Sequence, residues 1–179
     1  LNEIVQPDIA IITCIGPTHL EHMLSTEGVW QEKRKIIKGA SCVIVHDTCP
    51  TIDCHGAEKI LFGQREIADI QIKNRKHIDI NGHLLTAPQV QYEHQLETIA
   101  ASSAVLSYLD LHIPRLEHVS FSWPKQRLAS YQHQTGALII DDSYNASYIS
   151  YVAAIKGLMK HQKKKVLVLA YTTLIQFQG

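Results

Sequence analysis

The chain has 179 residues, 17 Lys and Arg against 17 Asp and Glu, a formal net charge of zero and 45% hydrophobic residues. This is enough apolar material for one ordinary domain, or one domain and part of another, and it excludes a disordered chain. Balanced charge argues against a nucleic-acid binder, and no run approaches the roughly 18 apolar residues that would span a membrane. In chain order, Asp8-Ile-Ala-Ile-Ile-Thr-Cys14 is a short apolar run suited to a strand buried on both faces. Gly16-Pro17 ends it as a turn, and the polar loop Thr18-His-Leu-Glu-His22 follows. Residues 27–38 read as a helix and Ser41-Cys-Val-Ile-Val-His46 as a second buried strand, an order that predicts an α/β layer with parallel strands.

Between residues 59 and 86 the texture changes to short alternating runs, Lys59–Phe62, Ala68–Ile72 and His77–Ile80. Asn81-Gly82 then predicts a hairpin, because a type I′ turn needs two residues at positive φ. Tyr92, Leu96, Ile99, Ser103, Leu106 and Leu109 fall at the spacing of a long amphipathic helix. Pro114 and Trp123-Pro124 punctuate the next stretch and suggest a domain boundary. After it, Gly136–Ile140 reads as a buried strand ending in Asp141-Asp142. A helix from about Ser147 carries Tyr148, Val152, Ile155 and Met159 on one face, and Lys163-Lys-Lys165 leads into a strand at Val166–Leu169. This second α/β unit breaks off at Gly179. Leu1–Gln6 shows no signal-peptide pattern and the chain lacks an initiator Met, so it reads as starting within a longer protein. Four cysteines, all in the first third, fit reduced thiols in a cytoplasmic protein.

Three clusters carry possible chemistry. His19 follows a buried strand, at the carboxyl edge where open α/β sheets bind ligands, and a helix with Lys33 and Lys35 comes next; spacing alone equally allows a surface loop. Asp141-Asp142-Ser-Tyr-Asn145 ends a strand just before a helix and suits a ribose, a cation or a helix cap. His46, Cys49, Cys54 and His55 match no standard zinc spacing. No Gly-x-x-x-x-Gly-Lys-Ser/Thr phosphate loop occurs in these residues.

Several stretches together resemble the Mur ligases. Pro7-Asp-Ile-Ala-Ile-Ile-Thr-Cys-Ile-Gly-Pro-Thr-His-Leu-Glu21 resembles the central-domain signature PDIAVITNIGPAHLE, with Glu27-Gly28 and Lys33 at the family's distances. His94-Gln-Leu-Glu-Thr-Ile-Ala-Ala101 is similar to the central-domain helix HNxxNALAA, with Gln95 and Thr98 where the family usually has two Asn near the adenine. Pro124-Lys-Gln-Arg127 resembles the P-x-G-R that opens the C-terminal domain, with Gln126 in place of Gly. Asp141-Asp-Ser-Tyr-Asn-Ala146 is similar to the motif of the family member that adds D-alanyl-D-alanine, with Tyr148 in place of the Pro expected after it.

The resemblance implies a mainly parallel sheet belonging to a P-loop-type central domain, incomplete and with a small β-hairpin subregion, in residues 1–122. Residues 123–179 would begin a Rossmann-like C-terminal domain. The implied activity is ATP-dependent amide ligation in peptidoglycan precursor synthesis, joining D-alanyl-D-alanine to UDP-N-acetylmuramoyl-tripeptide through an acyl phosphate. Another ligase of the superfamily with a different amine, or a non-catalytic domain of the same fold, are the alternatives. By the same resemblance His19 and carbamylated Lys33 are catalytic and ligate Mg2+, and Arg127, Asp142, Asn145, Gln95 and Thr98 bind the nucleotide, the C-terminal domain closing over it. The phosphate loop and a UDP-sugar domain would precede Leu1, so this piece alone is expected to be inactive. The intact protein is expected to be a cytoplasmic monomer.

Overall fold

Every residue of Cys42–His46 is buried, and this strand organises the larger of two sheets. The structure is a computed structural model that describes residues 2–16, 25–122, 124–144, 148–159, 162 and 164–168. It divides into two units, Leu1–Phe121 and Ser122–Gly179.

The first unit opens with a short helix, α1 (Asn2–Val5), and strand β1 (Ile9–Ile12). Helix α2 (Thr26–Lys33) follows, and Arg34–Ile37 tightens into a 3-10 turn where a single helix over 27–38 was expected. Strand β2 (Cys42–His46) pairs in parallel with β1, Ile9 beside Cys42 through Ile12 beside Val45. On its other side β2 pairs in parallel with β3 (Glu58–Gly63). The run Val43-Ile-Val45 is covered on both faces, which is why an unbroken apolar sequence is stable there.

Strand β4 (Ile70–Asn74) is also parallel to β3, but only Phe62 and Gly63 face it, beside Ile70 and Gln71. A parallel pair ordinarily needs a crossover of about a dozen residues. Residues 64–69 suffice because β4 begins beside the end of β3, so the chain steps sideways without returning to the start of the sheet. The hairpin β5 (His77–Ile80) and β6 (His83–Thr86) turns at Asn81 and Gly82, with φ of 51° and 82°, as the Asn-Gly pair predicts. Its strands continue the same sheet, in the order β1-β2-β3-β4-β5-β6, antiparallel from β4 onward. The hairpin subregion is thus an extension of the parallel layer.

Helix α3 (Glu93–Tyr108) packs across β2, β3 and β4. It buries Leu96, Ile99, Ala100 and Ala104, together with Ser103 from the predicted stripe. Leu109, placed on that stripe by its spacing, is the C-cap and is 47% exposed, because the helix ends as its turn leaves the sheet.

In the second unit β7 (Ala129–Gln132) and β8 (Leu138–Asp141) form an antiparallel two-stranded sheet, followed by helix α4 (Tyr148–Met159). Here the structure corrects the reading of a buried strand at Gly136–Ile140. The strand starts at Leu138, which is exposed, and its described partner is an antiparallel neighbour. Residues 164–168 form no strand where Val166–Leu169 was read as one, and Val166 and Val168 are exposed; Leu169 lies outside the described residues. An apolar run needs a neighbouring strand to become one, and no described strand pairs with these residues. No described helix is long and apolar enough to cross a membrane.

Candidate functional site

Lys33 is the last residue of α2, and its position follows from how that helix is fixed. Ser25 caps the N-terminus, its side chain accepting a hydrogen bond from the Gly28 backbone N–H at 3.0 Å. Val29 and Trp30 bury the inner face, Trp30 joining Ala10, Ile12, Val43 and Val45 in one core cluster. The exposed Lys33 side chain then reaches the carboxyl end of β1, where Nζ donates to the Cys14 carbonyl at 3.0 Å. The sequence placed Lys33 near that edge, and the structure shows the contact. His19 lies outside the described residues.

Beside it, the carboxyl end of β2 carries a polar cluster of which the sequence singled out only His46. His46 Nδ1 accepts from the Thr48 backbone N–H at 3.2 Å and lies 2.7 Å from the Thr48 hydroxyl. Its Nε2 faces Glu97 Oε1 of α3 at 3.7 Å, and its Nδ1 also lies 3.5 Å from Asp47 Oδ1. Phe62 meets the His46 ring edge-on at 5.1 Å between centroids. Buried Asp47 accepts from the Arg65 backbone N–H at 2.7 Å. Burial pushes the Glu97 carboxyl above its usual range; His46 opposes this, while Glu93 and Asp47 add to it. An acidic residue directly after a fully buried strand was the available signal for Asp47.

The Cys49 thiol nearby is not activated. Burial, then Cys14, pushes Cys49 up to about 11, with Lys33 opposing, so Cys49 lies within electrostatic reach of both. His55 pairs with Asp53 at 3.4 Å, away from the His46 contacts. Among the described residues no group of three or more His, Cys, Asp or Glu could hold a metal ion.

Gln95 and Thr98 differ in burial and in what they bond. Gln95 is buried, and its Oε1 accepts from the backbone N–H groups of Gln91 and Tyr92 at 2.8 and 3.1 Å, closing the start of α3. Thr98 is exposed, and its hydroxyl donates to the His94 carbonyl at 2.9 Å.

The second unit brings Arg127 and Asp142 into one small assembly. Asp142 Oδ1 accepts from the Leu128 backbone N–H at 3.1 Å, and the Tyr144 N–H donates to the Gln126 carbonyl at 3.1 Å. Asp141 Oδ1 accepts from the backbone and hydroxyl of Ser143 at 3.1 and 2.7 Å. The Arg127 guanidinium carbon lies 4.1 Å from the centre of the Tyr144 ring. Tyr144 was not among the residues expected from the sequence. Asn145 lies outside the described residues, as does Ser147, where the sequence predicts the helix to start.

Comparison with known proteins gives these positions a context. Residues 1–103 match the family described as the Mur ligase middle domain. A UDP-N-acetylmuramoyl-tripeptide–D-alanyl-D-alanine ligase of Bacillus subtilis is 27% identical over 186 aligned positions, covering 94% of this chain and 40% of that protein. The structure of the MurF ligase from Thermotoga maritima in complex with ADP is similar with a TM-score of 0.76 at 23% identity, over 88% of this chain and 40% of that one. MurF from Acinetobacter baumannii is similar with a TM-score of 0.75 at 24% identity, over 89% of this chain and 39% of that one. The chain thus spans about two fifths of the length of the relatives it matches.

Proposed function

Because the chain belongs to the Mur ligase family, we propose that it is part of an ATP-dependent amide ligase that joins D-alanyl-D-alanine to UDP-N-acetylmuramoyl-tripeptide. The observation that carries this reading is the extent of the likeness. The family match ends at residue 103, whereas the similarity to the Bacillus subtilis ligase covers 94% of the chain and so continues into the second unit. That unit holds Asp141-Asp-Ser-Tyr-Asn-Ala146, the stretch that resembles the signature of D-alanyl-D-alanine addition.

In the proposed reaction the tripeptide carboxylate oxygen attacks the γ-phosphorus of ATP, ADP leaves, and an acyl phosphate forms. The free amine of D-alanyl-D-alanine attacks the acyl carbon, loses a proton, and expels inorganic phosphate. Negative charge accumulates on the transferring phosphoryl group, so fixed cationic groups accelerate the step. Arg127 suits this work because its planar guanidinium binds two phosphate oxygens at once. Asp142, tied to the Leu128 backbone, keeps the segment after β8 in register with the Arg127 segment. We assign both to nucleotide binding, with Asn145 as a further contact of the same unit.

The Mg2+ that the family resemblance implies finds no ready ligand set among the described residues. Lys33 donates a hydrogen bond, so it repels a cation unless it is carbamylated; with carbamate oxygens it would join His19 as a ligand.

The test is phosphate release by the intact ligase. We expect release from ATP and UDP-N-acetylmuramoyl-tripeptide to depend on D-alanyl-D-alanine and not on single amino acids. Dependence on a single amino acid would move the protein to another ligase of the family, and no dependence on any amine would mark a binding domain.

A further inference from the structure

We propose that Tyr144 is the positioning residue for Arg127, holding its guanidinium in a binding-ready orientation on the aromatic face; this rests on the reading that Arg127 contacts the nucleotide. The pair is built by the backbone on both sides. The residue before Arg127 accepts from the Tyr144 N–H through its carbonyl, and the residue after it donates to Asp142, so segments 126–128 and 142–144 are laced around the pair. Both of those flanking residues, Gln126 and Leu128, have positive φ, 62° and 53°. Such backbone is costly for residues with a Cβ and persists only where surrounding bonds enforce it. The arrangement brings the Arg127 guanidinium carbon to 4.1 Å from the Tyr144 ring centre.

The geometry suits a phosphate-binding arginine. Contact over the aromatic face draws on the cation's charge, while the guanidinium's paired N–H donors are the groups that bind phosphate oxygens. A long side chain already seated loses less rotamer freedom when the ligand arrives. Tyr144 itself is 60% exposed, so burial in the core does not account for it. The ring, not the hydroxyl, does the positioning.

The experiment is a set of variants in the intact ligase, read as separate kcat and KM for ATP. Tyr144→Leu should raise the ATP KM about 2- to 5-fold with little change in kcat, the range that an exposed cation–π contact supports. Tyr144→Phe should match the unsubstituted enzyme. In an Arg127→Ala background, Tyr144→Leu should add nothing. An equal KM increase in that background, or a Phe variant as impaired as the Leu variant, would overturn the proposal. A raised KM in Arg127→Ala with an unchanged one in Tyr144→Leu defeats positioning alone. An unchanged KM in Arg127→Ala defeats the nucleotide reading as well. Should the Leu variant not fold, proton NMR of the unsubstituted chain decides: the Arg127 δ-methylene should be shifted upfield by the ring, and unshifted resonances contradict the seat.

Discussion

Strands β2 and β8 read alike in the sequence, each a short run of branched apolar residues ending in a polar one, yet they differ in what covers them. Val43-Ile-Val45 is fully enclosed, with β1 on one side, β3 on the other and α3 packed across. In β8, Leu138 is exposed, Ile139 and Ile140 are half-buried, and the described partner is β7. The difference teaches that an apolar run specifies a strand, whereas its neighbours decide whether the strand is core. The His46 and Asp47 cluster of the first unit therefore stands at the end of an enclosed strand. The Arg127 and Asp142 assembly of the second unit depends on local backbone bonds.

Truncation gives the largest test of that contrast. Ile44→Ala in β2 should cost about 3–4 kcal/mol, because the enclosed site cannot collapse around the lost atoms. Ile139→Ala in β8 should cost less than about 1 kcal/mol. Urea unfolding followed by far-UV circular dichroism measures both, and equal losses would erase the distinction.

A second substitution probes how the carboxyl end of β2 is held. At Gly63 an added Cβ would fall 2.2 Å from the Asp47 carboxylate, which is buried and bonded to the Arg65 backbone. Gly63→Ala should cost about 2 kcal/mol, because Asp47 must shift and leave a buried group unpaired. A neutral result would show that this end is as yielding as the second unit.

The opposite sign is expected at Gln126, whose φ of 62° is one that Gly adopts freely. Gln126→Gly should stabilise the second unit by about 0.5–1 kcal/mol, seen as a higher urea midpoint. The family-like glycine at this position thus has a conformational reason. Loss of stability would mean that Gln126 makes compensating contacts.

A further effect is one of pH and belongs to the enclosed unit. Burial, with Glu58 and Cys54 adding, raises the Cys42 thiol from about 9 to about 11, and Cys49 is raised similarly. The folded state keeps these protons after the unfolded chain has released them. The stability they contribute is complete below about pH 9 and is lost as pH rises toward 11. Cys42→Ala should flatten part of that fall in an alkaline denaturation series, and an unchanged slope would contradict the assignment.

Much of the first unit was legible because its signals are local. The run at Ser41–His46, the Asn81-Gly82 turn and the periodicity from Tyr92 to Ser103 each encode an element within a few residues. Strand β7, Ala129-Ser-Tyr-Gln132, escaped notice because an exposed two-stranded ribbon needs no apolar face. Lys33 was singled out only through the family resemblance, and Gln95 could not be seen to bond Gln91 and Tyr92. The Arg127–Tyr144 seat stayed hidden for the same reason. It joins residues far apart in the chain through backbone bonds that leave no periodic trace.

The most direct test of the proposed ligase is Lys33→Ala in the intact protein, assayed for ATP-dependent ligation with and without a short-chain carboxylic acid. Lys33 meets the Cys14 carbonyl through an exposed side chain at the end of β1, so its removal should leave the melting temperature nearly unchanged. Turnover should fall by about 100-fold or more, as when a group acting on the transferring phosphoryl is lost, and the added acid should restore part of it by standing in for the carbamate. Full activity in Lys33→Ala would contradict the account.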